Sequence, residues 1–335
     1  MQAVIYGLAG AELTEKERDF FRDADPAGYI LFQRNCLDIE QLQSLNSELR
    51  SLSGRPDLPI LIDQEGGRVA RMRPPEWPAF PRAENFAALY ELAPPSAIEA
   101  ARVNARAIAL TLRVAGINVN CLPLLDVRQP GASDIIGDRA LGAEPMQVAA
   151  LGRAVLDGMA SAGVVGVVKH LPGHGRALVD SHKELPFVTA GEDELALDLE
   201  PFERLRGAPM GMTAHVVYTA WDPDRPASLS PTVIGSIIRD RIGFGGFLMS
   251  DDIGMHALAG DFGTRASGVV AAGCDVALHC SGDMDEMEAI AAAVPTLSAE
   301  GEARLGRAMA VALNEADDLD FAEAVAKRDA LLALV

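Results

Sequence analysis

Residues 169–182, KHLPGHG followed by RALVDSH, concentrate side chains that are able to transfer protons. This segment contains one lysine, one aspartate and three of the six histidines of the chain, among glycines and a proline that exclude a regular helix. Asp180 and His182 are two residues apart, so one loop presents both. A carboxylate beside an imidazole raises the imidazole pKa and fixes its tautomer. Such a pair can protonate a leaving group and then deprotonate a water molecule.

Two other interpretations of residues 169–182 stay open from the sequence. The histidines can be ordinary polar loop residues that bind water or form local hydrogen bonds. They can also bind a metal ion, although their spacing does not match a helical HExxH site. The metal hypothesis would use four side chains: His170, His174, Asp180 and His182.

A pair of carboxylates in FLMSDDIGM, residues 247–255, forms the second candidate group. An apolar run precedes Asp251, which we expect to point toward the centre of a site. Asp252 is expected to face elsewhere and to cap the next helix. The alternative is that both carboxylates are only caps.

Positive charge collects in LIDQEGGRVARMR, residues 61–73, although the protein as a whole is acidic. Asp63 ends an apolar run here, and Arg71 is one of three arginines that follow. Asp63 can pair with an arginine to brace the loop, or it can bind sugar hydroxyls, and these roles are compatible. Arg139, in the Gly-bounded loop SDIIGDRALG at 133–142, is a weaker candidate on its own.

Eight short aliphatic runs alternate with helical stretches, which is typical of strands buried on both faces. The predicted strands are 2–7, 28–32, 59–63, 117–121, 164–168, 209–213, 246–250 and 275–279. The predicted helices are 13–24, 38–52, 96–115, 144–162, 192–206, 230–241 and 283–294. This order favours an α/β protein with a (β/α)₈ TIM barrel, with a doubly wound open sheet as the competing fold.

The candidate residues lie where predicted strands end. Asp63 ends the third run, Lys169 and His170 end the fifth, and Asp251 ends the seventh. In a barrel these carboxyl ends share one rim, where active sites are built. The long connections 64–95 and 122–143 join the same rim and are expected to be functional loops.

Composition limits the possible partners. The chain has 335 residues, 49% of them hydrophobic and only 5% aromatic, so the core must be aliphatic. The formal net charge of −19 argues against nucleic acid or an anionic membrane as a partner. We expect a small-molecule substrate and no cofactor.

The rest of the chain adds three expectations. A single domain, residues 1–335, is predicted, with helices from about 298 packed outside the barrel and a turn at the acidic run 315–320. The N-terminus is a poor signal peptide and no run is long enough to cross a membrane, which predicts a cytoplasmic protein. The four cysteines are expected to be buried and reduced: Cys36, Cys121, Cys274 and Cys280.

Several strings in their order resemble glycoside hydrolase family 3, and within it the bacterial β-N-acetylhexosaminidases. The resemblance covers most of the predicted barrel, and KHxPGHG followed by DxH and then SDD is a specific combination. The matching strings are DQEGGRV at 63–69, GDRALG at 137–142, KHLPGHG at 169–175, DSH at 180–182, MTAHVVY at 212–218 and SDDIGM at 250–255. Leu171 and Ile253 depart from the commoner Phe and Leu, and both changes keep an apolar residue.

The resemblance implies a role for each matching position. Asp251 is expected to be the nucleophile of a retaining hydrolase, and His182 the general acid/base with Asp180 as its partner. Many other members of the family take the acid/base from a second domain, for which we expect no room after residue 300. The residues expected to bind N-acetylglucosamine are Asp63, Arg71, Arg139, Lys169 and His170.

The implied substrate is a terminal β-linked N-acetylglucosamine, attached to anhydro-N-acetylmuramic acid with or without a peptide during peptidoglycan recycling. A monomer or weak dimer is expected. Four alternatives remain: a β-glucosidase on the same scaffold, a metal-dependent hydrolase using the 170–182 loop, a Schiff-base aldolase using Lys169, and a non-catalytic sugar-binding barrel.

Overall fold

Eight parallel strands close into a barrel in which each strand pairs with its neighbours in sequence and the last pairs with the first. The computed structural model describes residues 1–181, 183–314 and 320–335. The (β/α)₈ prediction is therefore confirmed, and the open doubly wound sheet is excluded. The strands are β1 (Gln2–Gly7), β2 (Pro26–Leu31), β3 (Ile60–Ile62), β4 (Val119–Asn120), β5 (Val165–Leu171), β6 (Met210–Thr213), β7 (Phe247–Asp252) and β8 (Val276–His279).

The barrel strands are buried along their lengths because helices cover the outside and side chains fill the inside. Every residue of β5 is buried, including the two polar residues at its carboxyl end. Closure is made by β1 and β8, with Val4 opposite Ala277. A parallel strand that is apolar on both faces and polar only at its end delivers that polar end to the rim.

Ten α-helices occur within the described residues, and the seven predicted helical stretches all correspond to helical segments. The α-helices are α1 (Glu15–Ala24), α2 (Ile39–Ser53), α3 (Ala83–Leu92), α4 (Pro94–Val114), α5 (Pro145–Ala160), α6 (Glu192–Arg204), α7 (Phe262–Ala272), α8 (Met284–Ala293), α9 (Ala299–Met309) and α10 (Phe321–Leu332). Thr14 caps α1, because its Oγ1 accepts a hydrogen bond from the Glu17 backbone N–H at 3.1 Å.

Three segments differ from the sequence prediction. The long loop 64–95 contains α3, and α7 lies between β7 and β8, where no helix was predicted. The buried face of α7 consists mostly of small residues, which mark an apolar stripe only weakly in the sequence: Gly263, Ala266, Val269 and Ala272. The stretch predicted as a helix over 230–241 is a π-helix, Val233–Arg241.

The C-terminal helices pack on the outside of the barrel. Within α10, Arg328 donates a hydrogen bond to the side-chain oxygen of Asn104 on α4 at 3.2 Å. Arg304 of α9 contacts Asp275 beside β8 at 2.9 Å. Of the acidic run predicted as a turn, residues 315–319 lie outside the described residues.

All four cysteines are buried and none forms a disulfide. In the described part of the chain, no helix is both long and apolar enough to span a bilayer. The short strands Phe187–Val188 and Val217–Tyr218 pair with each other outside the barrel.

Candidate active site

A cavity of about 340 Å³ opens at the rim formed by the carboxyl ends of the strands. Of the seven predicted site residues that the structure describes, all but Asp180 line this cavity. The six are Asp63, Arg71, Arg139, Lys169, His170 and Asp251. The eighth predicted residue, His182, lies outside the described residues.

Five side chains of alternating charge form one wall of the cavity. Lys169 lies at the centre, with its Nζ 2.9 Å from Asp63 Oδ1 and 2.8 Å from Glu65 Oε1. Arg71 contacts the other oxygen of Asp63 at 3.0 Å. Arg139 donates two hydrogen bonds of 2.8 Å to the two oxygens of Glu65. Both roles expected of Asp63, bracing the loop and facing the cavity, are compatible with this geometry.

The charges of this wall are fixed by their neighbours. Burial alone would raise the pKa of Asp63, but the cations Lys169 and Arg71 hold that pKa well below its usual range. Burial opposes the charge of Glu65 too, and Arg139 and Lys169 nevertheless bring its pKa to about 2. Burial likewise opposes the charge of Lys169, but the two carboxylates keep its pKa above that of an ordinary lysine. A Schiff-base lysine must become neutral, so this environment argues against the aldolase hypothesis.

Asp251 lies at the carboxyl end of β7 and faces the cavity. Its Oδ1 accepts a hydrogen bond of 2.8 Å from the backbone N–H of Asp252. A carboxylate on the last residues of a buried strand is held more rigidly than one on a loop, as a nucleophile requires.

The expectation that Asp252 caps the following helix is wrong. Its Oδ1 accepts hydrogen bonds from the backbone N–H groups of Gly254 at 2.9 Å and Cys280 at 3.2 Å. The cap of α7 is Asp261 instead. Asp252 therefore ties the end of β7 to β8, and burial raises the pKa of this carboxyl, with the adjacent Asp251 adding to the effect.

A buried histidine supports the same strand end. His215 places Nε2 3.0 Å from the backbone oxygen of Asp252 and Nδ1 2.6 Å from Ser228 Oγ. Burial lowers the pKa of His215 and so favours the neutral form of its ring. Since a carbonyl only accepts, Nε2 carries the proton and Nδ1 accepts from the hydroxyl of Ser228. The backbone next to Asp251 is thereby held in place.

Asp126 is a buried carboxylate that the sequence reasoning missed. Its Oδ2 lies 2.8 Å from Nδ1 of His170, and its Oδ1 accepts from the backbone N–H of His174 at 2.7 Å. Burial opposes its charge, but His170 brings the pKa of Asp126 to about 2. Its only sequence signature is one polar residue in the apolar string LPLLDV, residues 122–127.

Glu65 was missed as well, although strand periodicity could have identified it. It follows Asp63 by two residues, and side chains two apart along an extended chain share one face. The structure places both carboxylates on the same lysine, Lys169.

The loop after β5 folds back on itself within its described part. His174 Nε2 lies 3.2 Å from Ser181 Oγ, and both residues line the cavity. Asp180 is about a quarter exposed, and its carboxylate lies 4.0 Å from Lys183 Nζ. Burial lowers the pKa of His174 to about 4, and the nearby His170 adds to this effect.

The geometry does not favour the metal hypothesis for the described residues. In that part of the chain, no group of three or more His, Cys, Asp or Glu side chains is arranged to hold an ion. His170 directs Nδ1 to Asp126, and His174 directs Nε2 to Ser181.

Apolar side chains also line the cavity, and Phe32 packs its ring against the Arg71 guanidinium at 4.8 Å. A cavity with both hydrogen-bonding and apolar lining suits a sugar, which has polar edges and less polar faces. The apolar lining residues include Ile30, Phe32, Met212, Leu278 and Cys280.

Sequence comparison identifies a family model and relatives that are named β-hexosaminidase. The chain matches the glycosyl hydrolase family 3 N-terminal domain over residues 4–312. A β-hexosaminidase from Aromatoleum aromaticum is 38% identical over 307 residues, which cover 90% of this chain and 85% of the relative. Another β-hexosaminidase, from Methylococcus capsulatus, is 40% identical over 285 residues, covering 83% and 82% of the two chains.

Solved structures of one protein extend the similarity to the whole fold. Native NagZ from Neisseria gonorrhoeae is 33% identical, with a TM-score of 0.87 over 99% of this chain and 98% of that one. Two further structures of the Neisseria protein are complexes with N-trifluoroacetyl-D-glucosamine, at a TM-score of 0.87, and with zinc ion, at 0.86. This chain therefore belongs to glycosyl hydrolase family 3, among the β-hexosaminidases of that family.

Proposed function

We propose that this chain is a retaining β-N-acetylglucosaminidase with Asp251 as nucleophile and His182 as general acid/base, assisted by Asp180. One observation carries the proposal: a strand-end carboxylate, Asp251, faces the same cavity as the charged wall centred on Lys169. A volume of about 340 Å³ lies near the lower limit of small-molecule pockets, about 300–1,000 Å³, and fits one sugar unit better than a long oligosaccharide.

The charged wall supplies the contacts for the sugar. The carboxylates of Asp63 and Glu65 accept hydrogen bonds from hydroxyl groups, while Lys169 donates to a hydroxyl oxygen. The ring of His170 is oriented by Asp126, which leaves Nε2 as the nitrogen for the substrate. In this assignment Arg71 and Arg139 fix the acids through ion pairs and extend the recognition to the edge of the sugar.

The reaction then takes two steps. In the first, an Asp251 oxygen attacks the anomeric carbon, the bond to the leaving oxygen breaks, and protonated His182 gives that oxygen its proton. In the second, neutral His182 takes a proton from water. The water oxygen attacks the anomeric carbon, and the Asp251 carboxylate leaves. Asp180 stabilises the imidazolium that is present before the first step and is formed again in the second.

The proposed natural substrate is N-acetylglucosamine linked to anhydro-N-acetylmuramic acid, with or without a peptide, in peptidoglycan recycling in the cytoplasm. Positive charge at the cavity favours an acidic aglycone, because Arg68 and Arg71, which both follow β3, line the cavity. A monomer or weak dimer, with no nucleic-acid or membrane partner, completes the proposal. Hydrolysis of the purified disaccharide tests the substrate, and sedimentation velocity tests the oligomeric state.

The reaction class is tested with p-nitrophenyl β-N-acetylglucosaminide, wild type and Asp251→Ala, with and without a chelator. We expect chelator-resistant hydrolysis that the substitution lowers by about four to six orders of magnitude, as when a member of a catalytic unit is removed. The matched glycoside, p-nitrophenyl β-glucoside, is expected to react far more slowly.

Each alternative has its own outcome in that assay. Comparable turnover of the glucoside would make the protein a β-glucosidase. Loss of activity with the chelator, restored by a divalent metal, would support the metal-dependent hydrolase, a hypothesis that the zinc complex of the Neisseria relative also favours. Folded protein that hydrolyses neither the glycosides nor the disaccharide would contradict the proposal.

A further inference from the structure

A set of hydrogen bonds joins His170, which lines the cavity, to the loop that carries Asp180. Asp126 holds the ring of His170 through Oδ2 and the backbone of His174 through Oδ1. The ring of His174 then meets the hydroxyl of Ser181 at 3.2 Å. Ser181 lies between Asp180 and His182 in the sequence. This set of hydrogen bonds therefore ends at the residue between the two members of the proposed acid/base pair.

We infer that the Ser181 hydroxyl is a positioning group, which holds the loop that carries Asp180 beside the cavity through the His174 ring. The inference rests on the proposed function and names a residue that acts on the proposed chemistry through its neighbours. Ser181 itself donates no proton to the substrate in this scheme.

The course of the loop supports this role. Leu178 is 69% exposed, so the chain runs out to the surface after His174. It returns to the cavity at Ser181, which is 3% exposed. The side-chain bond between His174 and Ser181 closes this excursion, and the turn made by the Lys183 N–H and the Asp180 carbonyl oxygen at 2.9 Å follows directly.

The His174 ring is a firm anchor for such a contact. Its backbone N–H is bound to the fully buried Asp126, and its ring packs edge-on against that of His170 with centroids 5.6 Å apart. The ring is only 3% exposed, and burial keeps the pKa of His174 near 4, so the anchor is neutral at neutral pH. The serine hydroxyl and an imidazole nitrogen can then pair in either ring tautomer.

A positioning role for Ser181 predicts a dependence on the leaving group. General acid catalysis matters most when the leaving oxygen is strongly basic, as in an alkyl glycoside or a disaccharide. A nitrophenolate departs with little protonation. A displacement of the acid by a fraction of an ångström to 1 Å therefore slows the first kind of substrate and spares the second.

The experiment compares Ser181→Ala with wild type on methyl β-N-acetylglucosaminide and 2,4-dinitrophenyl β-N-acetylglucosaminide. We expect kcat/KM to fall about tenfold to a hundredfold on the methyl glycoside. On the dinitrophenyl glycoside we expect a change of about twofold or less, the size of an ordinary neutral substitution. Ser181→Thr, which keeps the hydroxyl, should recover part of the loss.

A double-mutant cycle with His174→Phe tests whether the effect passes through the proposed contact. If the hydroxyl acts through the ring, Ser181→Ala should add little to the loss on the methyl glycoside in the His174→Phe background. Ser267→Ala is the matched control, because Ser267 bonds only within α7 among the described residues, to the carbonyl groups of Gly263 and Thr264. Ser267→Ala should leave kcat/KM unchanged on both substrates.

Two results would overturn the inference. An equal loss on both substrates, carried by KM, would mean that Ser181 contacts the sugar directly or has a general structural role. Wild-type behaviour of Ser181→Ala would mean that the hydroxyl positions nothing. Failure of the proposed function looks different, because wild type itself would then hydrolyse neither N-acetylglucosaminide.

Discussion

Lys169 is a cation with almost no contact with water, and its two carboxylate partners make it the residue on which the charged wall depends. Asp63 and Glu65 are both within 2.9 Å of its Nζ. A buried ion pair adds little net stability, yet removing one partner is costly, since it leaves an uncompensated charge in a poorly hydrated site.

Lys169→Met should therefore destabilise the protein by about 3–5 kcal/mol and abolish sugar binding. Urea unfolding at pH 7 measures the first effect. Lys327→Met is the control, because Lys327 pairs with Glu99 on the surface and such pairs contribute about 0–1 kcal/mol. Equal losses of stability in the two variants would show that the wall does not depend on its lysine.

Asp180→Asn tests the second carboxylate of the proposed mechanism. Asparagine preserves the shape of the side chain but removes the charge that stabilises an imidazolium, so kcat should fall by about 10²–10⁴-fold with little change in KM. The methyl glycoside is the informative substrate here. Comparable kcat/KM values for variant and wild type would eliminate the acid/base pair.

Two rim loops, the one after β4 and the one after β5, pack against each other without a gap. A Cβ built on Gly175, in the loop after β5, would lie 1.9 Å from the carbonyl oxygen of Val127 in the loop after β4. Only the hydrogen atom of a glycine fits at the Cβ position between these two backbone segments. This contact lies beside Asp126 and His174, so the stacking of the loops sets where the bonds between them form.

Gly175→Ala should cost about 1–3 kcal/mol through overpacking and should lower turnover, since the loop must shift to relieve the clash. Gly306→Ala is the matched control. Among the described residues, no atom outside the neighbouring backbone of α9 lies within 4 Å of a Cβ built at Gly306, and alanine favours a helix. Thermal unfolding and turnover measured together check the prediction. A Gly175→Ala variant with unchanged Tm and turnover would contradict the close packing of the two loops.

Element periodicity explains which parts of the molecule could be predicted. All eight barrel strands follow from short aliphatic runs, because a strand buried on both faces has a composition that little else shares. Their polar ends then locate Asp63, Lys169 and Asp251 on one rim. The α7 helix was not predicted, because its buried face consists mainly of Gly and Ala, which mark an apolar stripe only weakly.

The partners within the site depend on contacts that sequence periodicity does not report. Asp126 lies 44 residues before His170, and only the course of two loops brings them together. The same is true of Glu65 and Arg139, which are 74 residues apart. Positions of strand ends are local information, whereas the pairing of charges between loops is decided by tertiary packing.

At the scale of the whole molecule, the site contains buried groups that respond to acid in two separate ranges. His174 is neutral in the folded state, with a pKa of about 4, whereas an unfolded histidine titrates near 6.5. Above pH 6.5 both states are neutral and this group has no effect. Between about 6.5 and 4 only the unfolded chain binds the proton, so stability falls as the pH falls.

The carboxylates act in a lower range with the same sign. Glu65 and Asp126 have pKa values of about 2 in the folded state, because neighbouring cations or hydrogen bonds favour their charged forms despite burial. Their stabilisation is complete above the ordinary range near 4 and is lost as the pH falls toward 2. Acid unfolding should thus begin with the histidine and finish with the carboxylates.

His174→Gln separates the two ranges. Relative to its own stability at pH 7, the variant should lose less than wild type between pH 6.5 and 4, by up to about 3 kcal/mol, since one pKa unit corresponds to about 1.4 kcal/mol. Below pH 4 the two should decline in parallel. Urea unfolding at pH 7, 5.5, 4.5 and 3.5 measures this, with His256→Gln, an exposed histidine, as the control that should follow wild type throughout. If His174→Gln and wild type instead share one slope from pH 6.5 to 4, the His174 ring takes up its proton as readily folded as unfolded. The neutral anchor between Asp126 and Ser181 would then have to be abandoned.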